Sequence, residues 1–159
     1  MNIKFKNKEF TIKKIYLIIS GVILILIILL TIFSCNANKK LNCKSNINGS
    51  TSIIEKKYNA TFKNNKLSKM VVSYKNTPTG NFQYMLNDIY ENYDGQLKKL
   101  KNAGGYNYTI NKGSDYVFYE SEINLNKIPD STKSAVGYNN MWTYKEFKTD
   151  LEKNGFTCK

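Results

Sequence analysis

One apolar run constrains this chain more than any other feature. Residues 15–33 read IYLIISGVILILIILLTIF and carry no charged side chain. At the helical rise of about 1.5 Å per residue, such a run covers the roughly 30 Å hydrocarbon core of a bilayer. The rest of the chain is too polar to surround a helix that is apolar on every side. The sequence therefore predicts that residues 15–34 form a transmembrane helix.

The charges beside this run predict its orientation. Residues 1–14 contain five lysines and Glu9, a net charge of +4. By the positive-inside rule, this basic tail stays in the cytoplasm. We therefore expect a single-pass cell-membrane protein with its N-terminus inside and residues 51–159 outside, as an extracytoplasmic domain.

A lipoprotein signal is the alternative interpretation of residues 15–34. The segment Ile32-Phe33-Ser34-Cys35 resembles a lipobox, in which a small residue precedes a cysteine that is acylated and becomes the new N-terminus. Ser34 fits this pattern, whereas Phe33 is bulkier than usual. In this alternative Cys35 carries the lipid, and the domain is lipid-anchored on the outer face of the membrane.

The positive charges of the chain are all lysines. There are 24 of them against 12 carboxylates, and residues 36–159 alone hold 19 lysines and 11 acids, a net +8. Without arginine the bidentate contacts that read DNA bases are missing, so we expect no nucleic-acid partner. We expect instead the membrane, an envelope protein or a cell-wall polyanion such as teichoic acid, bound more weakly as salt rises.

Three cysteines bear on the compartment and on metal binding. Outside the cell the environment is oxidising, so Cys43 and Cys158 are candidates for a disulfide that joins the two ends of the domain, with Cys35 left at the membrane. Two free thiols are the alternative. Because the chain has no histidine and no Cys-x-x-Cys motif, we expect neither a metal site nor a cofactor.

The same absence of histidine argues against most hydrolase mechanisms. Ser–His and Cys–His nucleophile activation are impossible without it. Glu120 and Glu122 lie two residues apart on a predicted strand, so both point to one face about 7 Å apart, as glycosidase carboxylates do. That face is opposite Tyr119, and we expect it to be solvated. The sequence thus predicts no catalytic residues and a non-catalytic binding or interaction module of the cell envelope, with a carboxylate-only hydrolase as a further alternative.

Two aromatic residues share the face of Glu120. Tyr116 and Phe118 alternate with the apolar positions of the same predicted strand. Exposed rings of this kind stack on sugars or bind peptides. The competing hypothesis is that they pack under the loop of residues 129–142.

Apolar periodicity predicts the elements of the outer domain. Residues 35–50 are rich in Asn, Lys and Ser and are predicted to be a linker. Alternation of apolar residues predicts hairpins over residues 54–74 and 106–125, and a three- and four-residue spacing predicts a helix over residues 81–100. Thr143 and Glu146 match a capping box, which predicts a final helix. The predicted fold is α+β: an N-terminal transmembrane helix, then an antiparallel four-stranded sheet (strand-strand-helix-strand-strand-helix) with helices on one face.

Two short stretches carry a resemblance to a known family. The hairpin TFKNNKLSKM and the terminal LEKNGFTCK resemble the YehR-like lipoproteins, in particular small membrane-anchored members from Gram-positive bacteria whose function is unknown. The resemblance covers about residues 43–159. It implies an α+β outer domain and a link between Cys43 and Cys158, and it implies no catalytic residue.

Overall fold

The computed structural model describes residues 23–25, 38–138 and 141–159. The chain divides into two units, residues 1–37 and 38–159. Of the first unit, residues 23–25 are described, and they are helical. The second unit contains the strands β1 (Lys39–Asn48), β2 (Ser52–Lys63), β3 (Lys66–Pro78), β4 (Tyr106–Lys112), β5 (Val117–Asn124) and β6 (Thr157–Cys158), a 3-10 helix (Gly80–Met85), and the helices α1 (Leu86–Lys98), α2 (Asp130–Val136) and α3 (Tyr144–Lys153).

The strands form one antiparallel sheet in the order β4-β5-β3-β2-β1-β6. The long strands β2 and β3 form its centre, where their alternating apolar residues face the core. The short β6 pairs with the middle of β1 and closes one edge over two residues.

The β2–β3 hairpin owes its shape to two asparagines and a bulge. Asn64 and Asn65 both have positive φ angles, 53° and 60°, which a two-residue turn with a right-handed strand twist requires. The register then shifts between Thr61 and Phe62. Because of this irregularity, Leu67 and Met70 are both buried although they lie three residues apart, which strict alternation would forbid.

The helices α1 and α3 pack on the same side of the sheet. On α3, the buried Phe147 packs its ring against Tyr58 and Phe62 of β2. On α1, Tyr93 contacts Tyr74 of β3 and Tyr119 of β5. The fully buried side chains of this core are Phe62, Phe147, Leu41, Leu67, Met70, Leu125 and Val117.

The predicted sheet is wrong in its number of strands. The structure has six strands where the sequence analysis expected four. Residues 39–48, assigned to a linker, form β1, and Leu41, Cys43 and Ser45 of that strand are buried. The other unpredicted strand is β6, which is too short for a periodic pattern.

The predicted transmembrane architecture is also corrected. Across the described part of the chain, we find no helix with both the length and the apolarity needed to cross a bilayer. This contradicts the predicted single-pass helix over residues 15–34, and with it the localisation derived from that helix. Apart from residues 23–25, the predicted span lies outside the described residues.

Candidate functional site

The second face of the sheet is covered by none of the described helices. Residues that alternate with the core positions project from it, and most are polar or charged. Those on β1 and β2 are exposed lysines and asparagines, such as Lys40, Lys44 and Asn59. We call this surface the open face.

A shallow groove of about 310 Å³ crosses the open face where β6, β1 and β2 lie side by side. The strand register places Lys44 opposite Lys57 on one side and opposite Thr157 on the other. Lys159 lies beside Asn42, with which it exchanges two backbone hydrogen bonds of 3.0 and 2.8 Å. The residues that line this basic groove are Asn42, Cys43, Lys44, Lys57, Asn59, Thr157 and Lys159.

The basic groove carries uncompensated positive charge. Lys44, Lys57 and Lys159 are all exposed, and none of the ion pairs found among the described residues includes them. Opposed side chains on neighbouring strands have Cβ atoms about 5 Å apart. The groove therefore brings ammonium groups next to the amides of Asn42 and Asn59, a set of donors that suits an anion.

Two other lysines of the open face are paired with glutamates. Lys69 lies 2.9 Å from Glu122, and Lys75 lies 3.8 Å from Glu55. These contacts join β3 to β5 and to β2. The lysines of the basic groove differ from Lys69 and Lys75 because no ion pair among the described residues includes them.

The two glutamates considered as catalytic acids lie on the open face. Glu122 forms the ion pair with Lys69, and Glu120 accepts a hydrogen bond of 2.8 Å from the Ser73 hydroxyl. Glu120 is exposed and Glu122 is half-buried. The structure thus places them on an open surface, where each is held by its own neighbour.

Metal ligands are not grouped in this domain. Within residues 23–25, 38–138 and 141–159, no three His, Cys, Asp or Glu side chains lie close enough together to hold an ion. The remaining chemistry of the open face is that of ammonium, amide, hydroxyl and aromatic groups.

A disulfide between Cys43 and Cys158 holds β6 against β1. The two residues are directly opposite each other, with Cα atoms 4.1 Å apart. Their neighbours Thr157 and Lys159 line the basic groove, so the bond that closes the sheet edge also fixes one wall of the groove. Cys35, the alternative lipid attachment residue, lies outside the described residues.

Half-buried tyrosines occupy the covered face and pack against the core. Tyr74 stacks on Tyr119 with ring centroids 5.2 Å apart. Burial raises the pKa of Tyr119 to about 12, and burial also raises the pKa of Tyr74 and Tyr138. Their hydroxyls therefore stay protonated near neutral pH.

A second groove runs along α3 and has a volume of about 590 Å³. It is lined by Trp142, Thr143, Lys145, Glu146, Thr149, Asp150 and Lys153. Two of these side chains are positive and two are negative. Thr143 and Glu146 form the predicted capping box, whose hydrogen bonds to the Glu146 carboxylate lower its pKa. This groove lacks the net charge of the basic groove.

The basic groove could not be found from the sequence. Lys44 was assigned to a linker, and its pairing with Lys57 depends on the register between two strands. The available signal was the alternation of Leu41, Cys43 and Ser45 with polar residues, which has the period of a strand.

The fold belongs to the class of antiparallel sheets with helices packed on one face, and it is similar to two solved structures. The first is the NMR structure of the E. coli YehR protein, with a TM-score of 0.56 and 16% identity over 77% of this chain and 92% of that one. The second is the NMR structure of a protein from Streptococcus pneumoniae TIGR4, with a TM-score of 0.51 and 10% identity over 78% of this chain and 86% of that one.

These similarities establish a YehR-like fold. No protein-family model and no curated protein matches the chain. At identities of 16% and 10% these structural neighbours indicate the fold alone.

Proposed function

We propose that this domain is a non-catalytic binding module that holds an anionic polymer of the cell envelope in its basic groove. The observation that carries the proposal is the cross-strand pair of Lys44 and Lys57. Both are exposed, they lie directly opposite each other, and no ion pair among the described residues includes either.

Like charges directly opposite each other on a sheet destabilise it. The unbound domain therefore carries an electrostatic cost at this position. An anion between the two ammonium groups removes that cost and gains two charge-assisted contacts. Lys159 and the amides of Asn42 and Asn59 provide further donors along the same groove.

The shape of the groove favours a polymer over a small metabolite. It is shallow, and its lysines lie on β1, on β2 and directly after β6. Exposed contacts of this kind each contribute about 0.2–1 kcal/mol. Useful affinity then requires a ligand with many charges, such as the phosphates of teichoic acid.

The disulfide supports an oxidising compartment as the place of action, because such bonds persist outside the reducing cytosol. We further propose that Cys35 is the lipid attachment residue, in keeping with the resemblance to small lipoproteins of Gram-positive bacteria. The support is the Ser34–Cys35 pair at the end of the apolar run. The mature protein should then begin at Cys35 with an added acyl mass, and an unmodified Cys35 in mass spectra would disprove the lipid.

Binding to poly(glycerol phosphate) tests the proposed function. We expect the affinity to fall steeply between low and high salt, because exposed charges are screened over about 10 Å at 0.1 M salt. The variant K44Q/K57Q should bind about tenfold more weakly, since it loses two exposed contacts worth roughly 1.4 kcal/mol together.

The matched control is K145Q/K153Q. It removes the same amount of charge from the second groove along α3, and we expect it to bind almost as the wild type does. An equal loss of affinity in both variants would indicate an unspecific charge effect. An affinity that does not change with salt concentration would refute the proposal.

A further inference from the structure

Two aromatic rings lie on the open face at the far side from the basic groove. Phe118 is on β5, and Tyr116 comes just before this strand. Both are half-buried, while Val117 between them is fully buried in the core. We call Tyr116 and Phe118 the aromatic patch.

The Tyr116 ring is held in place from two sides. A Cβ atom on Gly113 would lie only 2.6 Å from its Cε1 atom, so the ring packs directly on this glycine. The Lys75 ammonium lies 4.8 Å from the centroid of the ring. Lys75 is also opposite Phe118 in the strand register, and its ammonium group forms an ion pair with Glu55.

The described aromatic rings of the loop of residues 129–142 lie on the covered face. Tyr138, from the described part of that loop, donates a hydrogen bond of 3.0 Å to Tyr58 and packs near Phe147, both on the covered face. Trp142, from the same loop, also packs its ring against Phe147. Among the described residues, no ring packs against Tyr116 or Phe118.

Short polar side chains surround the aromatic patch. Asn111 lies opposite Phe118, and Thr109 lies opposite Glu120 on the same face. All three polar residues are exposed. A sugar offers an apolar C–H face for a ring and hydroxyls for amides and carboxylates, so it matches this surface. A peptide or lipid partner needs a larger apolar area than two half-buried rings supply.

We propose that the aromatic patch binds the sugar of a glycosylated anionic polymer whose phosphates lie in the basic groove. This inference rests on the proposed function and names its ligand class. β5 and β1 are three strand spacings apart, about 14 Å. An oligomer of a few repeat units spans that distance along the open face.

The test compares plain and glucosylated poly(glycerol phosphate). The wild type should bind the glucosylated polymer about fivefold more tightly, and F118A should lose this difference while it binds the plain polymer unchanged. The control Y84A removes an aromatic ring that is 74% exposed on the 3-10 helix, and it should keep the preference. F118A that retains the full preference would overturn the inference.

The outcomes separate this inference from the proposed function. If neither polymer binds the wild type, the proposed function itself fails. If the wild type binds both polymers equally and K44Q/K57Q weakens the binding of both, the result supports anion binding in the basic groove and refutes sugar binding by the aromatic patch. If F118A does not fold, F118L replaces it in the test. Leucine keeps most of the side-chain volume without the ring, so F118L should also lose the preference for the glucosylated polymer. An anionic peptide that depends on Phe118 as strongly as the glucosylated polymer does would assign the patch to peptides and overturn the sugar proposal.

Discussion

At the scale of single residues, the local geometry of two glycines predicts opposite changes in stability when each is replaced by alanine. Gly105 has a φ of +85°, and a Cβ there would lie 2.8 Å from Lys127 Cβ and 2.9 Å from the Asn124 carbonyl oxygen. Gly95 lies inside α1, and a Cβ there has nothing within 4 Å.

We expect G105A to lower the free energy of unfolding by about 2 kcal/mol, from the left-handed backbone and the close contacts. G95A should raise it by about 0.5–1 kcal/mol through helix propensity. Urea unfolding measures both values. If the two variants change stability in the same direction, the local geometry described for these glycines is incorrect.

The half-buried Tyr119 predicts how stability depends on alkaline pH. Tyr119 has an ordinary pKa of 10.0, which burial raises to about 12 in the folded domain. Above pH 10 the unfolded chain loses this proton and the folded domain keeps it, so the stabilisation is lost as pH rises through this window. In Y119F the free energy of unfolding should fall less steeply between about pH 10 and 12, because unfolding of this variant releases up to about one proton fewer than unfolding of the wild type.

Y84F is the control for this pH profile, because Tyr84 is exposed. It should give the wild-type slope. A Y119F profile that matches the wild type throughout the alkaline range would contradict the buried position of Tyr119.

At the scale of elements, the disulfide and β6 act together. The bond closes a loop of 115 residues, and in the chain-entropy model it stabilises the folded state by up to about 4–5 kcal/mol. C158S should therefore unfold at a much lower urea concentration than the wild type. It should also weaken polyanion binding, because Thr157 and Lys159 are then held only by backbone pairing to β1.

A reductant provides the control for this prediction. Added to the wild type it should reproduce the lowered stability of C158S, and it should leave C158S itself unchanged. Equal stability with and without the bond would show that β6 does not depend on it.

Sequence patterns predict some helices and strands correctly, because the residues that define these elements are close together in the chain. The alternation Tyr106, Tyr108, Ile110 corresponds to β4, and the Thr143–Glu146 capping box marks the start of α3. β1 was missed because its buried Leu41 and Cys43 sit in an Asn- and Lys-rich stretch typical of linkers. β6 was missed because two residues show no period, and its position depends on pairing with β1.

At the scale of the whole molecule, the account depends on an uneven distribution of charge over one sheet. Glu122 and Glu55 of the open face pair with lysines of β3, whereas the lysines of β1 and β2 have no acidic partner among the described residues. Net charge could be read from the sequence. The position of Lys44 opposite Lys57 could not, because it follows from the pairing of β1 with β2.

Amide chemical-shift mapping by NMR tests the central claim most directly. On titration of the isotope-labelled protein with poly(glycerol phosphate), we predict that the shift changes concentrate at Asn42, Lys44, Lys57, Asn59 and Thr157 and vanish at high salt. Changes that centre on α3, or that spread evenly over all exposed lysines, would contradict the account.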